Sequence, residues 1–362
     1  MAKSSVIPFG PQHPVLPEPV HLDLVVEDET VLEVIPRIGF IHRGLERLVQ
    51  VKDYNQMLYI AERICGICSF GHSYGYSSAA ERLMNVEVPM RAEYLRVIYH
   101  EMSRIHSHLL WLGLAADGFG FEALFMHCWR LRERVLDIFQ ATVGGRVILS
   151  ASKIGGFVKD IENSELQDIV SKLHGIEDEY KVIVKTFLED KTVRSRLEGV
   201  GYISKEDALA LSMVGPFGRA SGVEYDVRSF GMGAYSELSE FSPIISTKGD
   251  CYARCEVRCA EVYQSIAIID ELVSKIPDGP VFTKVKGNPE DGAKATMLIE
   301  QPRGECFYYL EGNGTKNLER MRVRTPTNIN LAGMTQALSG CNLADVPNII
   351  LTIDPCISCT ER

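Results

Sequence analysis

A basic excess is missing from this chain: 38 lysines and arginines stand against 48 aspartates and glutamates, for a formal net charge of -10 over 362 residues. Surfaces that bind nucleic acid are usually basic, so nucleic acid is not expected as a partner. Long apolar runs are missing too. No stretch approaches the roughly 20 residues needed to span a bilayer, which still leaves room for a membrane partner. Met1 to Gly10 lacks the basic-then-apolar layout of a signal peptide, so a cytoplasmic location is expected. There is no internal repeat and no low-complexity linker. What is present is a 46% hydrophobic fraction, enough for a substantial core, and ten cysteines. Without an export signal these are expected as reduced thiols used for packing, metal binding or catalysis.

The pattern predicts an α+β protein that is predominantly helical: a long-helix core, a small N-terminal β-sheet and an irregular C-terminal portion. Pro8 to Pro36 carries the alternating run His21-Leu22-Asp23-Leu24-Val25-Val26, then Glu27-Asp28-Glu29 and a second run from Thr30 to Val34, a hairpin or small sheet. Leu95, Ile98, Met102, Ile105, Leu109 and Leu112 recur at threes and fours, as on a helix face. Similar amphipathic spacing covers Glu122 to Val143, Glu162 to Leu188 and Cys251 to Lys275. Turn clusters at 215–218 and 277–280 interrupt it, and Ala295 to Ile299, Cys306 to Leu310 and Ile349 to Ile353 read as short strands. A single domain is expected, with a β region over 1–43, a helical core over 44–276 and a C-terminal region over 277–362.

Two cysteine pairs frame the chain. The first is Arg63-Ile64-Cys65-Gly66-Ile67-Cys68, followed by His72; the second is Asp354-Pro355-Cys356-Ile357-Ser358-Cys359. Each Cys-x-x-Cys turn can offer two sulfurs to one metal, and two turns complete a four-thiolate, soft-metal set. A structural zinc is the plain alternative, yet zinc ribbons place their pairs roughly 15–20 residues apart, not at opposite ends of a long chain. Neither pair opens a helix in a strand-helix-strand unit, which argues against a thioredoxin-like redox pair.

Arg-Ile-Cys-Gly-Ile-Cys-x-x-x-His at 63–72 and Asp-Pro-Cys-x-x-Cys-x-x-Arg at 354–362 resemble the large-subunit signatures of nickel-iron hydrogenases. Gly10-Pro11-Gln12-His13-Pro14, the stretch Gly215 to Arg228, and Gly249-Asp250 with Arg254 and Arg258 resemble the quinone-site subunit of respiratory complex I, which is similar to the membrane-bound, energy-converting hydrogenases. Together these cover nearly the whole chain and select the Ech-type or carbon-monoxide-induced branch. Complex I subunits lack the four thiolates, so a quinone-site or structural subunit is the alternative.

The resemblance implies interconversion of hydrogen with protons and electrons by heterolytic cleavage. Cys65 and Cys356 would bind nickel terminally, while Cys68 and Cys359 would bridge it to an iron carrying carbon monoxide and cyanide. Glu18, in Pro17-Glu18-Pro19, matches the carboxylate that relays protons to and from a nickel-bound cysteine, here Cys356; a partly buried glutamate can be tuned for that task. Arg303 matches an arginine held over the open metal position, suited to it by a permanent charge and directed donors. Thr327 matches a hydroxyl residue donating to cyanide, His72 a hydrogen-bonding histidine beside a bridging thiolate, and Asp117 loosely an aspartate near the site. Asp354 is placed to pair with Arg303. Glu46 aligns with a glutamate that binds magnesium or iron together with a C-terminal histidine. This chain has Arg362 there, which leaves two readings open: an ion, or a direct pair between Glu46 and the arginine.

The remaining cysteines cannot hold an iron-sulfur centre, so a small subunit with a four-iron, four-sulfur cluster is required. The resemblance adds ferredoxin-like iron-sulfur subunits, integral-membrane ion-translocating subunits and ferredoxin as redox partner, with this chain peripheral on the cytoplasmic face. Other clusters read as structural. Cys251, Cys255 and Cys259 line one helix face as small hydrophobes. His100, His106 and His108 point around a helix, solvated or singly hydrogen-bonded, and Phe119, Phe121, Phe125 and Trp129 read as core or an apolar, gas-permeable wall.

Overall fold

The computed structural model describes residues 4–14 and 16–362; Met1 to Lys3, part of the segment read above for a targeting signal, and Val15 lie outside the described residues. The N-terminal region is an antiparallel sheet of β1 (Ser5–Phe9), β2 (His21–Glu27) and β3 (Thr30–Arg37) in sequence order. Leu22, Leu24 and Val26 are buried while the residues between them are half-buried, the period-2 pattern of a strand with one face on the core.

The helical middle begins with α1 (Tyr54–Glu62), α2 (Ser69–Leu83) and α3 (Met90–Gly118). Asp53 caps α1, accepting from the backbone N–H of Asn55 and Gln56, an arrangement worth about 1 kcal/mol. α4 (Glu122–Val143) stops at Gly144 in the left-handed conformation. The small hairpin of β4 (Ser152–Lys153) and β5 (Gly156–Phe157) leads to α5 (Asn163–Glu189), opened by a capping box between Glu162 and Glu165. Short helices α6 (Lys191–Leu197), α7 (Lys205–Ala210) and α8 (Gly215–Arg219) lead to α9 (Cys251–Lys275), capped by Asp250. α3 is the central rod, packed against α2, α4 and α9.

α3 carries charges into the core, and each finds a partner. Arg96 meets Glu81 at 2.5 Å, Arg104 meets Glu101 at 3.2 Å, and His108 Nε2 meets Glu261 of α9 at 2.8 Å. Glu261 in turn accepts from Arg219 at 2.8 Å, Arg219 reaches Glu300 at 2.8 Å, and Arg228 links Asp226 at 2.7 Å to Glu101 at 3.3 Å. Buried charges persist only when paired and hydrogen-bonded, and this network ties α3, α8, α9 and the sheet below into one unit.

The C-terminal region is a meander of β6 (Lys294–Gln301), β7 (Gly304–Gly312) and β8 (Leu318–Arg324), followed by α10 (Pro326–Leu338), α11 (Val346–Ile353) and α12 (Ile357–Thr360). Two of the three expected strands fall within β6 and β7. The third, Ile349 to Ile353, is helical: it lies in α11 and packs against α3 and α9, with every residue from Asn348 to Ile353 buried. A short apolar run buried on all sides has no period to separate helix from strand. Of the two states expected for the α3 histidines, solvation is not what is found: all three are buried, His100 and His108 with one hydrogen bond each, to Glu300 O and Glu261, and His106 with two, to Ile67 O and from Arg132 Nε at 3.3 Å. No helix among the described residues is long and apolar enough to cross a membrane.

Candidate metal centre

The first cysteine pair occupies the turn between α1 and α2, with Cys68 at the N-terminus of α2; the second follows the turn after α11, with Cys356 capping α12 and Cys359 inside it. Asp354 ends α11 at φ 61°, a left-handed turn that reverses the chain toward the first pair. The four sulfurs converge although 291 residues separate the members of each cross-pair: Cys65 Sγ lies 3.4 Å from Cys356 Sγ, and Cys68 Sγ lies 3.8 Å from Cys359 Sγ. The sulfurs of Cys65, Cys68 and Cys359 all lie within 4.8 Å of one another. All four side chains are buried, and no cysteine among the described residues forms a disulfide.

Arg303 sits in the two-residue turn between β6 and β7. Its Nε donates to Asp354 O at 3.0 Å and its Nη2 to Asp354 Oδ1 at 2.8 Å, the pairing expected from the sequence. The turn is held from behind by Gly215 at φ +70°, where a Cβ would stand 2.1 Å from Arg303 O. Burial alone would lower the Arg303 pKa, but Asp354 and the sulfurs of Cys356, Cys68 and Cys65 outweigh it and hold it well above the ordinary value. The remaining nitrogen, Nη1, is buried without a hydrogen-bond partner.

Half-buried Glu18 reaches the second cysteine turn. One carboxylate oxygen accepts from the backbone N–H of Ile357 and, at 3.0 Å, of Ser358; the other accepts from Ser358 Oγ at 3.0 Å and lies 3.8 Å from Cys356 Sγ. Thr327 Oγ1 accepts from Cys356 N at 2.9 Å. His72 stands with Nε2 3.3 Å from Cys359 Sγ and Nδ1 2.6 Å from Tyr308 Oη, and burial brings its pKa down to about 4.

Two expected residues stand apart from the sulfurs. Glu46 accepts from Arg322 at 2.8 Å, from Val323 N at 2.8 Å and from Arg362 Nε at 3.2 Å, so it pairs with the arginine directly. Asp117 is exposed at the end of α3, and no hydrogen bond joins it to the cysteines. Sequence reasoning passed over Tyr308, Ser358 and Arg43. Alternation along β7 would have turned Tyr308 inward; nothing local marks the other two.

The donor set fits a metal. Contacts with Cys356, Cys359 and Cys68 hold the Cys65 thiol well below the ordinary range, and the matching contacts with Cys356, Cys65 and Cys68 hold Cys359 well above it. Four buried thiols therefore resist ionising together until a cation neutralises them, which coordination does. The unpartnered Arg303 nitrogen independently calls for an acceptor beside the sulfurs.

Four buried sulfurs gathered from both ends of a helical subunit form a soft-metal donor set. Residues 43–114 match the nickel-dependent hydrogenase family, and residues 118–291 and 282–362 match the family described as respiratory-chain NADH dehydrogenase, 49 Kd subunit. The membrane-bound hydrogenase subunit alpha of Pyrococcus furiosus is 37% identical, covering 98% of this chain and 87% of that protein. The carbon monoxide-induced hydrogenase of Rhodospirillum rubrum is 36% identical over 98% of this chain and 99% of its own. A chain of the membrane-bound sulfane sulfur reductase, an archaeal respiratory membrane complex, superposes with a TM-score of 0.93 at 29% identity, covering 99% of this chain and 98% of that one. The chain belongs to the large-subunit family that joins the nickel-dependent hydrogenases to the 49 kDa subunits of respiratory NADH dehydrogenase.

Proposed function

We propose that this chain is the catalytic subunit of a membrane-bound hydrogenase complex and that Cys65, Cys68, Cys356 and Cys359 hold its nickel-iron centre, with carbon monoxide and cyanide on the iron. The observation that carries the reading is the convergence of four buried sulfurs beside an arginine with one unpartnered nitrogen. When bound there, the metal pair supplies the redox centre at which hydrogen is exchanged with protons and electrons.

The chain's own residues supply the rest. Arg303, fixed by Asp354, stands within electrostatic reach of the sulfurs as a permanent cation, with Nη1 left unpartnered. A proton on Cys356 Sγ has the Glu18 carboxylate 3.8 Å away, and the Ser358 hydroxyl on the same carboxylate oxygen extends the relay toward the surface. His72 orients toward Cys359, and Thr327 fixes the Cys356 backbone while its hydroxyl hydrogen remains to serve a ligand. Glu46 serves as the partner of Arg362 and Arg322, not as an ion ligand. Asp117 has no role in this scheme. Electrons pass to a small subunit with a four-iron cluster and on to ferredoxin through iron-sulfur subunits, and integral-membrane subunits couple the flow to ion translocation. The chain acts as one domain, peripheral on the cytoplasmic face.

The match to the 49 kDa subunit family over the larger part of the chain favours a second reading, a quinone-site-type subunit without the metals. Infrared spectroscopy of the purified complex, with nickel and iron counted on the same sample, separates the two. Carbon monoxide and cyanide stretches with one nickel and one iron per chain are expected; a metal-free or zinc-filled site in matured complex would leave the second reading. Glu18→Gln should keep the metals and lose proton exchange.

A further inference from the structure

We propose that the segment 39–43 is a latch that fixes one cysteine turn against the other, with Arg43 as its positioning residue; the inference rests on the metal-site reading above. After β3 the chain crosses the C-terminal segment before entering the short helix Leu45–Gln50. Arg43 Nη1 donates to Arg63 O at 3.0 Å, and Nη2 donates to Ile64 O at 2.7 Å and to Ser358 O at 3.1 Å. Arg63 and Ile64 run directly into Cys65, and Ser358 lies between Cys356 and Cys359. One guanidinium therefore grips the backbone of both cysteine turns. Its planar fork of donors makes that possible, and an ammonium on a flexible stem cannot reach all three carbonyls in one geometry.

The same segment closes on the residues that follow the second pair. The backbone N–H groups of Gly39 and Ile41 donate to the two carboxylate oxygens of Glu361 at 2.6 and 2.5 Å, and His42 Nδ1 lies 2.9 Å from Glu361 O. Glu361 is 5% exposed, whereas Arg43 is exposed and approaches from outside. Gly39 at φ +123° and Gly44 at φ +64° give the latch its two bends. The latch matters because Cys356 caps, and Cys359 sits within, a helix of only four residues, far too short to hold its own shape. The second pair keeps its place through contacts from elsewhere, and Arg43 supplies one that also grips the backbone of the first turn.

The test compares Arg43→Ala, Arg43→Lys and Arg47→Ala in the intact complex. The readouts are nickel per chain and amide hydrogen exchange of the peptide spanning 355–362. Arg43 packs into no core, so its truncation should leave the melting temperature within a few degrees. Arg43→Ala is expected to raise exchange of that peptide by at least about tenfold, the factor one charge-assisted hydrogen bond supplies, and to lower nickel content in step. Arg43→Lys should fall between Ala and wild type, and Arg47→Ala, one turn along the same surface, should match wild type. Unchanged protection and nickel in Arg43→Ala would overturn the latch, as would equal losses in Arg47→Ala. A wild-type complex without nickel would instead remove the hydrogenase reading, while the exchange comparison would still decide the latch. Should Arg43→Ala not assemble, Glu361→Gln takes its place, with faster exchange at 355–362 expected and wild-type exchange overturning the proposal.

Discussion

Nε2 of His72 lies 3.3 Å from Sγ of Cys359, and Nδ1 on the other edge of the ring lies 2.6 Å from Oη of Tyr308. With Cys359 ionised, as a metal ligand would be, its sulfur can only accept, so Nε2 carries the hydrogen and Nδ1 accepts from the Tyr308 hydroxyl at 2.6 Å. Tyr308→Phe would release that tautomer. Groups that orient a metal ligand in this way typically contribute 10–100-fold to affinity or activity, so nickel retention against a chelator should fall by about that factor while the melting temperature barely moves.

Gly215 is a remote handle on Arg303. At φ +70° it cannot accept a side chain without strain, and a Cβ would stand 2.1 Å from Arg303 O. Gly215→Ala should push the 302–303 turn away from Asp354 and lower the stability by more than about 1 kcal/mol. A urea titration gives the second number; loss of hydrogen turnover beyond the loss of folded protein would show the first.

Glu101 is the most heavily used acid of the buried network. It faces Arg104 at 3.2 Å, Arg228 at 3.3 Å and Ser265 Oγ at 2.6 Å, and it also accepts from Tyr235. Burial would raise its pKa, but Arg104 and Arg228 overcome that and hold it well below the carboxylate range. Glu101→Ala leaves two guanidiniums short of a partner, at a cost of about 3–5 kcal/mol. A double-mutant cycle with Arg228→Met should recover part of that loss; strict additivity would mean the two residues do not act together.

Stability should fall in mild acid. Burial brings His100 and His108 down to about 4 and His106 down to about 3, against an ordinary value of 6.5. Below pH 6.5 the unfolded chain takes up protons that the folded chain refuses. Each histidine then removes up to about 1.4 kcal/mol per pH unit until its folded pKa is reached, and contributes no slope above 6.5. Urea midpoints at pH 7.5, 6 and 5 should decrease in that order, and His106→Gln should flatten the decline.

The N-terminal strands and the long helices were legible because their periods run for many residues: α4 and α9 begin and end where the apolar spacing does. The cysteine turns and the Arg303–Asp354 pair were legible from motif and adjacency. α11 was not, since a buried apolar octet has no telling period. The burial of the α3 histidines was not legible for another reason. His108 finds its acid 153 residues away and His100 its carbonyl 200 residues away, and no local pattern says that a polar residue will be met in the core. Arg43 was invisible on the same grounds, because its acceptors are backbone carbonyls of two distant turns.

The sulfurs of Cys68 and Cys359 meet across 291 residues, and that separation sets a schedule. At the usual pace of roughly 5–20 residues per second, the ribosome takes on the order of tens of seconds to progress from the first pair to the second. During that interval the first two thiols are already made while the site has no other half. A cell therefore has to guard a bare dithiol throughout that interval, and any metal ion captured early meets only two of the four thiols. Completion of the site then reports that the core between the two pairs, from α2 to α11, has been made and folded.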